Sequence, residues 1–394
     1  MTKDRVRFLF LNIGHGYAHL FLLIYPTVVL VLEVEVGGDY GDLLLPSTAG
    51  FVAFAACTLP AGWLGDRWSR THMMALMFFG LGIGAGLTAL SSTPWELAAG
   101  LAVIGAFAAI YHPVGIAMVV ETDMPTGRAL GINGVFGNMG VAAAPIAAAA
   151  LSAAFGWRAA FAVPGAIAVL TGLAYVLFSR AWPEGARAAK STGKPAETVG
   201  IWRVVAFLIV ANLLGGLTFH TTTISFPKVL DETLGAAAGP LGAGGLASLI
   251  FACAAFAQIG VGAALDRMPV RRIALVVIGL QVPIFLLLAD ATGWISVLLA
   301  FLVMLLVFGE IPINDILVAR YSSAAWRARL YALKYILSLG VSAAAVPMVA
   351  LLHSPGRGFA AMFILLAGFM AAVTVAALAL PAPRGTPAEA RASA

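Results

Sequence analysis

Four histidines stand in long apolar stretches of the sequence, where an ionisable side chain is costly unless it has a partner or faces water. His15 and His19 are four residues apart, so one face of a helix would present both imidazoles. His112 and His220 lie in two further apolar stretches. Because an imidazole changes charge near neutral pH, these side chains could carry a proton or contact an anionic solute. The alternative is that each is a hydrogen-bonded histidine that only packs.

A second group of ionisable residues lies in the C-terminal part of the sequence. Glu310 follows Gly309 near the middle of an apolar stretch, and Pro312 then interrupts the helix. Freed carbonyl groups beside a carboxylate can form a cation or proton site. Asp315 and Lys334 could pair in one state and separate in another, or form a static bridge between two helices. Desolvation favours the neutral form of a lone carboxyl group or amine, so either could exchange a proton near neutral pH.

Other polar side chains add hydrogen-bonding capacity along these stretches. Tyr17, Tyr111 and Asn314 complete the candidate residues for binding a substrate or a proton, with packing between helices as the alternative role. The His15/His19 pair has no Cys or carboxylate at ligand spacing nearby, so no metal site is predicted. No cofactor is expected either.

The elements that must position these residues are membrane helices. The chain has 394 residues, of which 61% are hydrophobic and 10% charged, whereas about a quarter of a soluble protein is charged. Apolar stretches of roughly 20 residues, long enough to cross the hydrocarbon core as helices, cover nearly the whole sequence. Their continuous apolar character excludes the alternation of a β-barrel. The sequence therefore predicts an all-α, multi-pass protein in a lipid bilayer.

Charges, glycines and prolines divide this sequence into twelve predicted helices. The first six lie near residues 8–32, 43–64, 71–91, 94–120, 127–152 and 157–180. The second six lie near residues 201–227, 241–265, 271–290, 293–319, 327–352 and 357–381. The predicted domains are an N-terminal six-helix bundle at 1–180, a cytoplasmic linker at 181–200, a C-terminal six-helix bundle at 201–381 and a disordered tail at 382–394.

Lysines and arginines are concentrated on one side of the predicted helices. With the N-terminus inside, only Arg158, Lys228 and Arg357 fall on the outer side. The acidic residues of the first outer loop, Glu33 among them, have no basic neighbour in the sequence. We therefore expect a bacterial inner-membrane protein with both termini in the cytoplasm. This asymmetry explains the net charge of +5, so no nucleic-acid partner is expected.

A charged motif occurs once in each half of the sequence, where one apolar stretch ends and the next begins. Its first copy comprises Gly62, Asp66, Arg67 and Arg70, and its second comprises Gly262, Asp266, Arg267, Arg271 and Arg272. Further pairs recur about 200 positions apart, namely Asn12/Asn212, Pro113/Pro312, Arg128/Arg327 and Arg158/Arg357. Two pseudo-symmetric halves of six helices are therefore predicted.

These features resemble the major facilitator superfamily over essentially the full length of the chain. The resemblance implies that helices 1, 4, 7 and 10 line a central cavity. It also implies that the double motif is a cytoplasmic latch, which holds the two halves together in the outward-open state. Glu121, at the inner end of helix 4, resembles the acidic partner of that latch. The alternative is a charge cluster that only sets the orientation.

Two segments resemble particular branches of that family. The small-residue pattern around Gly140 and Pro145 in helix 5 resembles the antiporter signature of drug–proton exchangers. Its small residues and its proline predict a gating bend in this helix, with Arg128 as a further gating residue at its start. Packing alone is the alternative. Residues 110–115, with the sequence IYHPVG, resemble a segment of fosmidomycin-resistance-type members. The acidic residue that this branch usually has in helix 1 is absent at 15–19.

The sequence therefore predicts a secondary active transporter for a small anionic or zwitterionic organic solute. We expect a monomer that works by alternating access and couples export to protons. Uptake of an organic acid by proton symport or exchange is the main alternative, and a non-transporting membrane sensor or assembly protein is the alternative from another class. The sequence has neither a nucleotide-binding motif nor a catalytic constellation, so neither ATP-driven pumping nor an enzyme is expected.

Overall fold

The computed structural model describes residues 2–181, 201–321, 330, 334, 336–353 and 358–381. Apart from Ala181, the predicted linker at 181–200 lies outside the described residues. The predicted tail at 382–394 and the two repeat residues Arg327 and Arg357 also lie outside them. In the described part of the chain, 11 helices are long and apolar enough to cross a membrane, and one shorter apolar helix precedes the last of them.

Where the structure describes both ends, most helix bounds lie within a few residues of the predicted ones, but the first helix begins five residues earlier and the seventh ends seven residues later than predicted. The N-terminal half contains α1 (Lys3–Glu35), α2 (Ser47–Arg67), α3 (Arg70–Leu90), α4 (Pro94–Val120), α5 (Thr126–Phe155) and α6 (Ala159–Ala181), with a short helix (Tyr40–Leu44) before α2. The C-terminal half contains α7 (segments Ile201–Val210, Ala211–Gly215 and Gly216–Leu234), α8 (Gly242–Arg267), α9 (Val270–Leu288), α10 (Gly293–Tyr321), α11 (Ile336–Leu352) and α12 (Ala360–Leu378). The all-α membrane architecture is confirmed.

Local sequence signals set several of the helix ends. Thr93 caps α4 by accepting a hydrogen bond from the N–H group of Glu96, whose side chain reaches back to the N–H group of Thr93. Ser69 caps α3 by accepting from the N–H group of His72. After α5 the chain turns at Gly156, whose φ of 82° is rarely adopted by other residues.

Two helices contain a π-helical turn. One spans Tyr111–Gly115 in α4 and the other spans Ala211–Gly215 in α7. The turn in α4 contains Pro113, which cannot donate a backbone hydrogen bond. In the other turn, the side-chain amide of Asn212 donates to the carbonyl of Leu208 over 2.7 Å. π-turns occur frequently at functional sites, so both turns are candidate functional positions.

Small residues let the helices of the N-terminal half approach closely. A Cβ atom at Gly140 of α5 would collide with the backbone carbonyl of Gly16 in α1. A Cβ atom at Gly105 of α4 would likewise collide with the carbonyl of Gly50 in α2. Without a hydrophobic driving force between helices in lipid, such backbone-to-backbone packing is a main source of association.

The two halves are joined at the end of the bundle that the basic residues predict to be the outer one. There, the N–H group of Ile146 in α5, freed by the helix proline near it, donates to the hydroxyl of Ser248 in α8 over 2.8 Å. A Cβ atom at Gly41 of the short helix would lie 2.8 Å from the carbonyl oxygen of Ala350 in α11. The structure therefore shows the halves closed against each other at the predicted outer end.

Candidate functional site

Three of the predicted histidines meet in the interior of the N-terminal half. The ligand nitrogens of His15 and His19 on α1 and of His112 on α4 all lie within 4.8 Å of one another. The ring centroids are 5.1 Å apart for His15 and His19, and 5.4 Å apart from each of them to His112. The spacing of four residues aligns the first two, and the π-turn of α4 carries the third. We call these three residues the histidine cluster.

A hydrogen-bond network orients the histidine cluster. The Nδ1 atom of His15 lies 2.8 Å from the backbone carbonyl oxygen of Asn133, which can only accept, so Nδ1 carries the proton in this contact. The side-chain amide of Asn133 donates to the Tyr111 hydroxyl over 2.7 Å and to Oδ1 of Asn12 over 2.9 Å. The Tyr111 ring stacks on His15 at 4.6 Å and 13°. These contacts hold the His15 ring and place its free lone pair on Nε2.

Asn133 was not among the residues predicted from the sequence. It shares one face of α5 with Gly137 and Gly140, at spacings of four and seven residues. A Cβ atom at Gly137 would lie 2.6 Å from Nε2 of His15, so this face of α5 must be free of side chains where the imidazole lies. The signal in the sequence was one amide and two glycines in register.

The fourth predicted histidine comes from the other half. His220 of α7 is 7% exposed and interacts with the backbone of Ser338 in α11. Two phenylalanines of α2 connect the two regions, since Phe54 lies 5.9 Å from His112 and Phe51 lies 6.2 Å from His220 between ring centroids. His220 therefore faces the same region from across the interface without joining the histidine cluster.

Tyr17 is the predicted residue that the structure places elsewhere. Its hydroxyl lies 3.1 Å from the hydroxyl of Thr171 in α6, and its ring contacts Phe78 of α3 at 6.1 Å between centroids. These neighbours belong to the packed interior of the N-terminal half. The contacts fit the alternative packing role for this tyrosine.

Glu310 is buried in α10 next to the π-turn of α7. The residue is only 6% exposed, and its Oε1 atom has no hydrogen-bond partner among the described residues. A Cβ atom at Gly215 would lie 2.5 Å from this oxygen. The amide groups of Gln281 in α9 and Asn314 in α10 are the polar neighbours of the carboxyl group. Gln281 was missed in the sequence, where it is a lone amide in an apolar stretch.

Asp315 and Lys334 form an ion pair between α10 and the chain segment that precedes α11. The lysine side chain is 10% exposed and the aspartate side chain 43% exposed. Lys334 lines a small cavity together with Asn212 of the π-turn in α7. The pair is formed in this structure, as both the static and the switching interpretation require, so its role stays a prediction.

Among the described residues, the ion pairs of the first copy of the charged motif lie within one half. Arg70 donates to Glu121 and, over 2.8 Å, to Asp66. Arg7 of α1, which was not predicted, lies 3.6 Å from Glu121. The guanidinium group of Arg67 lies over the Trp63 ring at 4.6 Å. Glu121 is thus the acidic partner of Arg70, and the charges tie α1, α3 and α4 together.

The remaining motif residues lie at the same end of the bundle. Gly62 allows close contact with the π-turn of α4, because a Cβ atom there would lie 3.0 Å from Cβ of Pro113. In the second copy, the residues at the end of α8 and the start of α9 are Asp266, Arg267, Arg271 and Arg272, and all but Arg271 are exposed. A latch between the halves remains a prediction for both copies.

The proposed gating residues of α5 have separate surroundings. Arg128 is exposed near the start of the helix. Gly140 packs on the backbone of α1, and the carbonyl of Pro145 lies 2.8 Å from where a Cβ atom of Gly244 in α8 would stand. The glycine and the proline therefore both serve close packing, and a gating bend stays a prediction.

An ion cluster at the predicted outer end joins the two halves. Nζ of Lys228 in α7 lies 2.8 Å from Oε2 of Glu33 in α1, and 3.7 Å and 3.8 Å from Glu232 and Asp231. Nε2 of His353, just after α11, lies 2.7 Å from Oε1 of Glu232. We call these five residues the outer ion cluster. Glu33 has no basic neighbour in the sequence, but folding brings it a lysine from the other half.

Tyr40 seals the side of the outer ion cluster. Its ring lies 5.5 Å from Nζ of Lys228 and 5.2 Å, between centroids, from His353. The residue is 1% exposed. The aromatic ring and the ion pairs bring α1, α7 and the end of α11 into contact with one another. Sequence analysis missed this cluster because its members are far apart along the chain.

Comparisons with known proteins agree with this architecture. A solved structure of the peptide transporter POT with sulfate has a TM-score of 0.72 at 16% identity, covering 96% of this chain and 94% of that chain. A bacterial homologue of the human lysosomal transporter Spinster, inward-facing and occupied, has a TM-score of 0.77 at 13% identity, covering 98% and 100%. The nucleoside transporter NupG has a TM-score of 0.69 at 17% identity, covering 95% and 99%. At these identities the likeness establishes the fold.

None of the curated proteins is a significant match to the sequence. The family model described as Major Facilitator Superfamily matches residues 13–333, which is most of the chain. This match confirms the resemblance seen in the motifs, and the solved transporters agree with it. The chain therefore belongs to the Major Facilitator Superfamily, a family of transporters and not of enzymes.

Proposed function

We propose that this transporter exports a small anionic or zwitterionic organic solute by alternating access, driven by protons. The observation that carries the proposal is the arrangement of ionisable groups on both sides of the interface between the halves. The histidine cluster contributes from α1 and α4, and His220, Glu310 and Lys334 contribute from α7, α10 and the segment before α11. Ionisable groups inside a membrane bundle belong to transport pathways more often than to packing.

The balance of these groups favours an anionic or zwitterionic solute. Four imidazoles and one lysine face two carboxylates, Glu310 and Asp315, and the lysine is paired with the second of these. A solute carboxylate would find hydrogen-bond donors on the imidazoles, while a solute amine would find Glu310. The similar solved structures include transporters named for peptides and nucleosides, which are also small organic solutes.

Proton coupling is assigned to Glu310. The residue is buried in α10, and its Oε1 atom has no hydrogen-bond partner among the described residues. A group of this kind can take up a proton in one state and release it when the cavity opens to water. The amides of Gln281 and Asn314 can hydrogen-bond either form.

Alternating access requires contacts that close each end in turn. The outer ion cluster and the contact between α5 and α8 close the predicted outer end. We infer that the charged motifs close the predicted inner end in the opposite state, with Arg70 exchanging part of its contact with Glu121 for the other half. The chain would act as a monomer in a bacterial inner membrane with both termini in the cytoplasm.

Export is the proposed direction because of the antiporter-like pattern at Gly140 and Pro145 and the fosmidomycin-resistance-type segment at 110–115. The rival is uptake of an organic acid by symport or exchange. A non-transporting sensor is the rival from another class, and the paired charges and buried ionisable groups of a working carrier count against it.

The test begins with a thermal-shift screen of dipeptides, nucleosides and carboxylates against the purified protein at two pH values. The best ligand is then followed in proteoliposomes with an imposed pH gradient. Antiport predicts that protons move out of the acidic compartment while the solute moves into it. Glu310→Gln should abolish this dependence on the pH gradient, while exchange of solute for solute persists. Glu35→Gln, at an exposed carboxylate, serves as the control. Stimulation of uptake when the outside is acidic would refute antiport and support symport.

A further inference from the structure

The histidine cluster has the ligand set of a transition-metal site. Three imidazoles with one remaining position are the protein ligands of several zinc centres, and imidazole also suits Co²⁺ and Ni²⁺. Tetrahedral coordination with metal–nitrogen distances of about 2.0–2.1 Å places the nitrogens about 3.4 Å apart. The nitrogens of His15, His19 and His112 all lie within 4.8 Å of one another. Small rotations of the side chains would therefore bring all three onto one ion.

The surroundings of the cluster match those of coordinating histidines. A ligating imidazole usually donates its other ring nitrogen to a carbonyl or carboxylate, which fixes the tautomer. His15 has this partner in the backbone carbonyl of Asn133, 2.8 Å from Nδ1, so Nε2 is left for a metal. Tyr111 stacks on the same imidazole and restrains its orientation. Sequence spacing alone did not indicate a metal site, because it offered only His15 and His19, and the fold supplies His112.

In the neutral form, each imidazole of the histidine cluster offers one nitrogen lone pair to a metal ion. His15 and His112 are each 7% exposed, so the ligands are largely shielded from water.

We propose that His15, His19 and His112 bind one divalent transition-metal ion of the class Zn²⁺, Co²⁺ or Ni²⁺. Tetrahedral coordination would leave a fourth position for a further ligand. A carboxylate or amine of the solute could occupy this position, so the inference extends the proposed function. Metal binding itself is measured without solute or pH gradient, so its failure and the failure of proton-driven export are distinguished.

The experiment uses the full-length protein, purified with a tag that contains no histidine, in detergent at neutral pH. Zn²⁺ is titrated by calorimetry and Co²⁺ by visible absorption, because tetrahedral Co²⁺ gives intense d–d bands. We expect one ion per chain and a tetrahedral Co²⁺ spectrum. His112→Ala and His19→Ala should each weaken binding by at least tenfold and remove the tetrahedral bands. Asn133→Ala keeps the backbone carbonyl that accepts from His15 and removes only the amide that donates to Tyr111, so it should weaken binding less than the two ligand variants do.

The control is His72→Ala, which removes an exposed histidine that stacks on Trp68 and does not belong to the histidine cluster. It should leave stoichiometry, affinity and spectrum unchanged. If His112→Ala does not yield folded protein, His19, which is less buried than the other two histidines, provides His19→Asn as a milder variant. Unchanged binding in the folded cluster variants, absence of binding in the original protein, or loss of binding in His72→Ala would each overturn the proposal.

Discussion

Removing the central lysine of the outer ion cluster should open the predicted outer end of the transporter. Among the described residues, Lys228 of α7 is the only lysine or arginine within 4.0 Å of Glu33, Asp231 and Glu232, while His353 contacts Glu232 alone. In Lys228→Met the aliphatic stem is kept, but three carboxylates are left close together without it. Their repulsion acts between α1 and α7, which belong to different halves. The population should therefore shift from the outward-closed state toward states with separated outer ends.

The magnitude follows from the exposure of the pair. Exposed ion pairs contribute about 0.2–1 kcal/mol, whereas breaking a fully buried pair costs about 3–5 kcal/mol. The side chains of Lys228 and Glu33 are 11% and 20% exposed, which is between these limits. We therefore expect a coupling energy of about 1–2 kcal/mol, equivalent to a shift of roughly 5- to 30-fold in the equilibrium. Glu33→Gln should shift it less, since Glu232 and Asp231 still face the lysine.

The shift can be measured as a distance distribution between spin labels at the outer ends of α1 and α7. Val36 and Ala236 are exposed positions just beyond these ends. The two native cysteines, Cys57 and Cys253, would first be replaced by serine or alanine. Glu35→Gln removes an exposed carboxylate close to the same label and is the matched control, for which no shift is expected.

A double-mutant cycle separates the ion pair from general damage. Glu33→Gln and Lys228→Met are combined, and the coupling energy is obtained from the four populations. The swapped pair Glu33→Lys with Lys228→Glu should recover part of the closed population. A coupling energy below about 0.3 kcal/mol, or an equal shift in Glu35→Gln, would refute a gating role for the outer ion cluster.

Three further outcomes are expected from contacts in the bundle. Gly140→Val should destabilise the protein by more than about 2 kcal/mol, because its side chain meets a backbone carbonyl of α1, and a thermal unfolding scan against Gly131→Val, at an open position, checks this. Asn133→Leu should cost about 1–3 kcal/mol in chemical unfolding, since the polar partners of its amide are left buried. Asp315→Asn should impair transport, because it removes the ion pair with Lys334. In flux assays, the swap Asp315→Lys/Lys334→Asp should restore transport if the pair is a static bridge, and should not restore it if the pair switches.

The fold was predictable because lipid leaves the backbone few choices. Continuous apolar stretches force helices, and their breaks at charges, glycines and prolines gave bounds close to those of α3 and α10. The two copies of the charged motif gave the division into halves. These signals are local or repeated along the chain, so one sequence is enough to detect them.

The candidate site was predictable in part, for a physical reason. His15 and His19 could be paired from helical spacing, but the third member of the cluster depends on how α4 packs against α1 and on the π-turn at Tyr111–Gly115. The partner of Glu33 lies 195 positions away in α7. Such contacts come from the packing of helices, and a buried ionisable residue in the sequence does not show which helix will face it.

Two helices, α1 and α7, carry residues of the outer ion cluster and also histidines of the candidate functional site, so movement at one is transmitted to the other. Glu33 lies on α1 with two members of the histidine cluster, His15 and His19. Lys228 and His220 lie on α7. Glu33 is 14 residues beyond His19, or about 21 Å along a straight helix at a rise of 1.5 Å per residue. Rocking that separates the outer ends must therefore also change the distance from His19 to His220, unless the helices bend at Pro26 and Pro227, which stand inside them. A solute that bridges the imidazoles of both halves would favour one of these two geometries, and this differential affinity is what couples binding to the change of state.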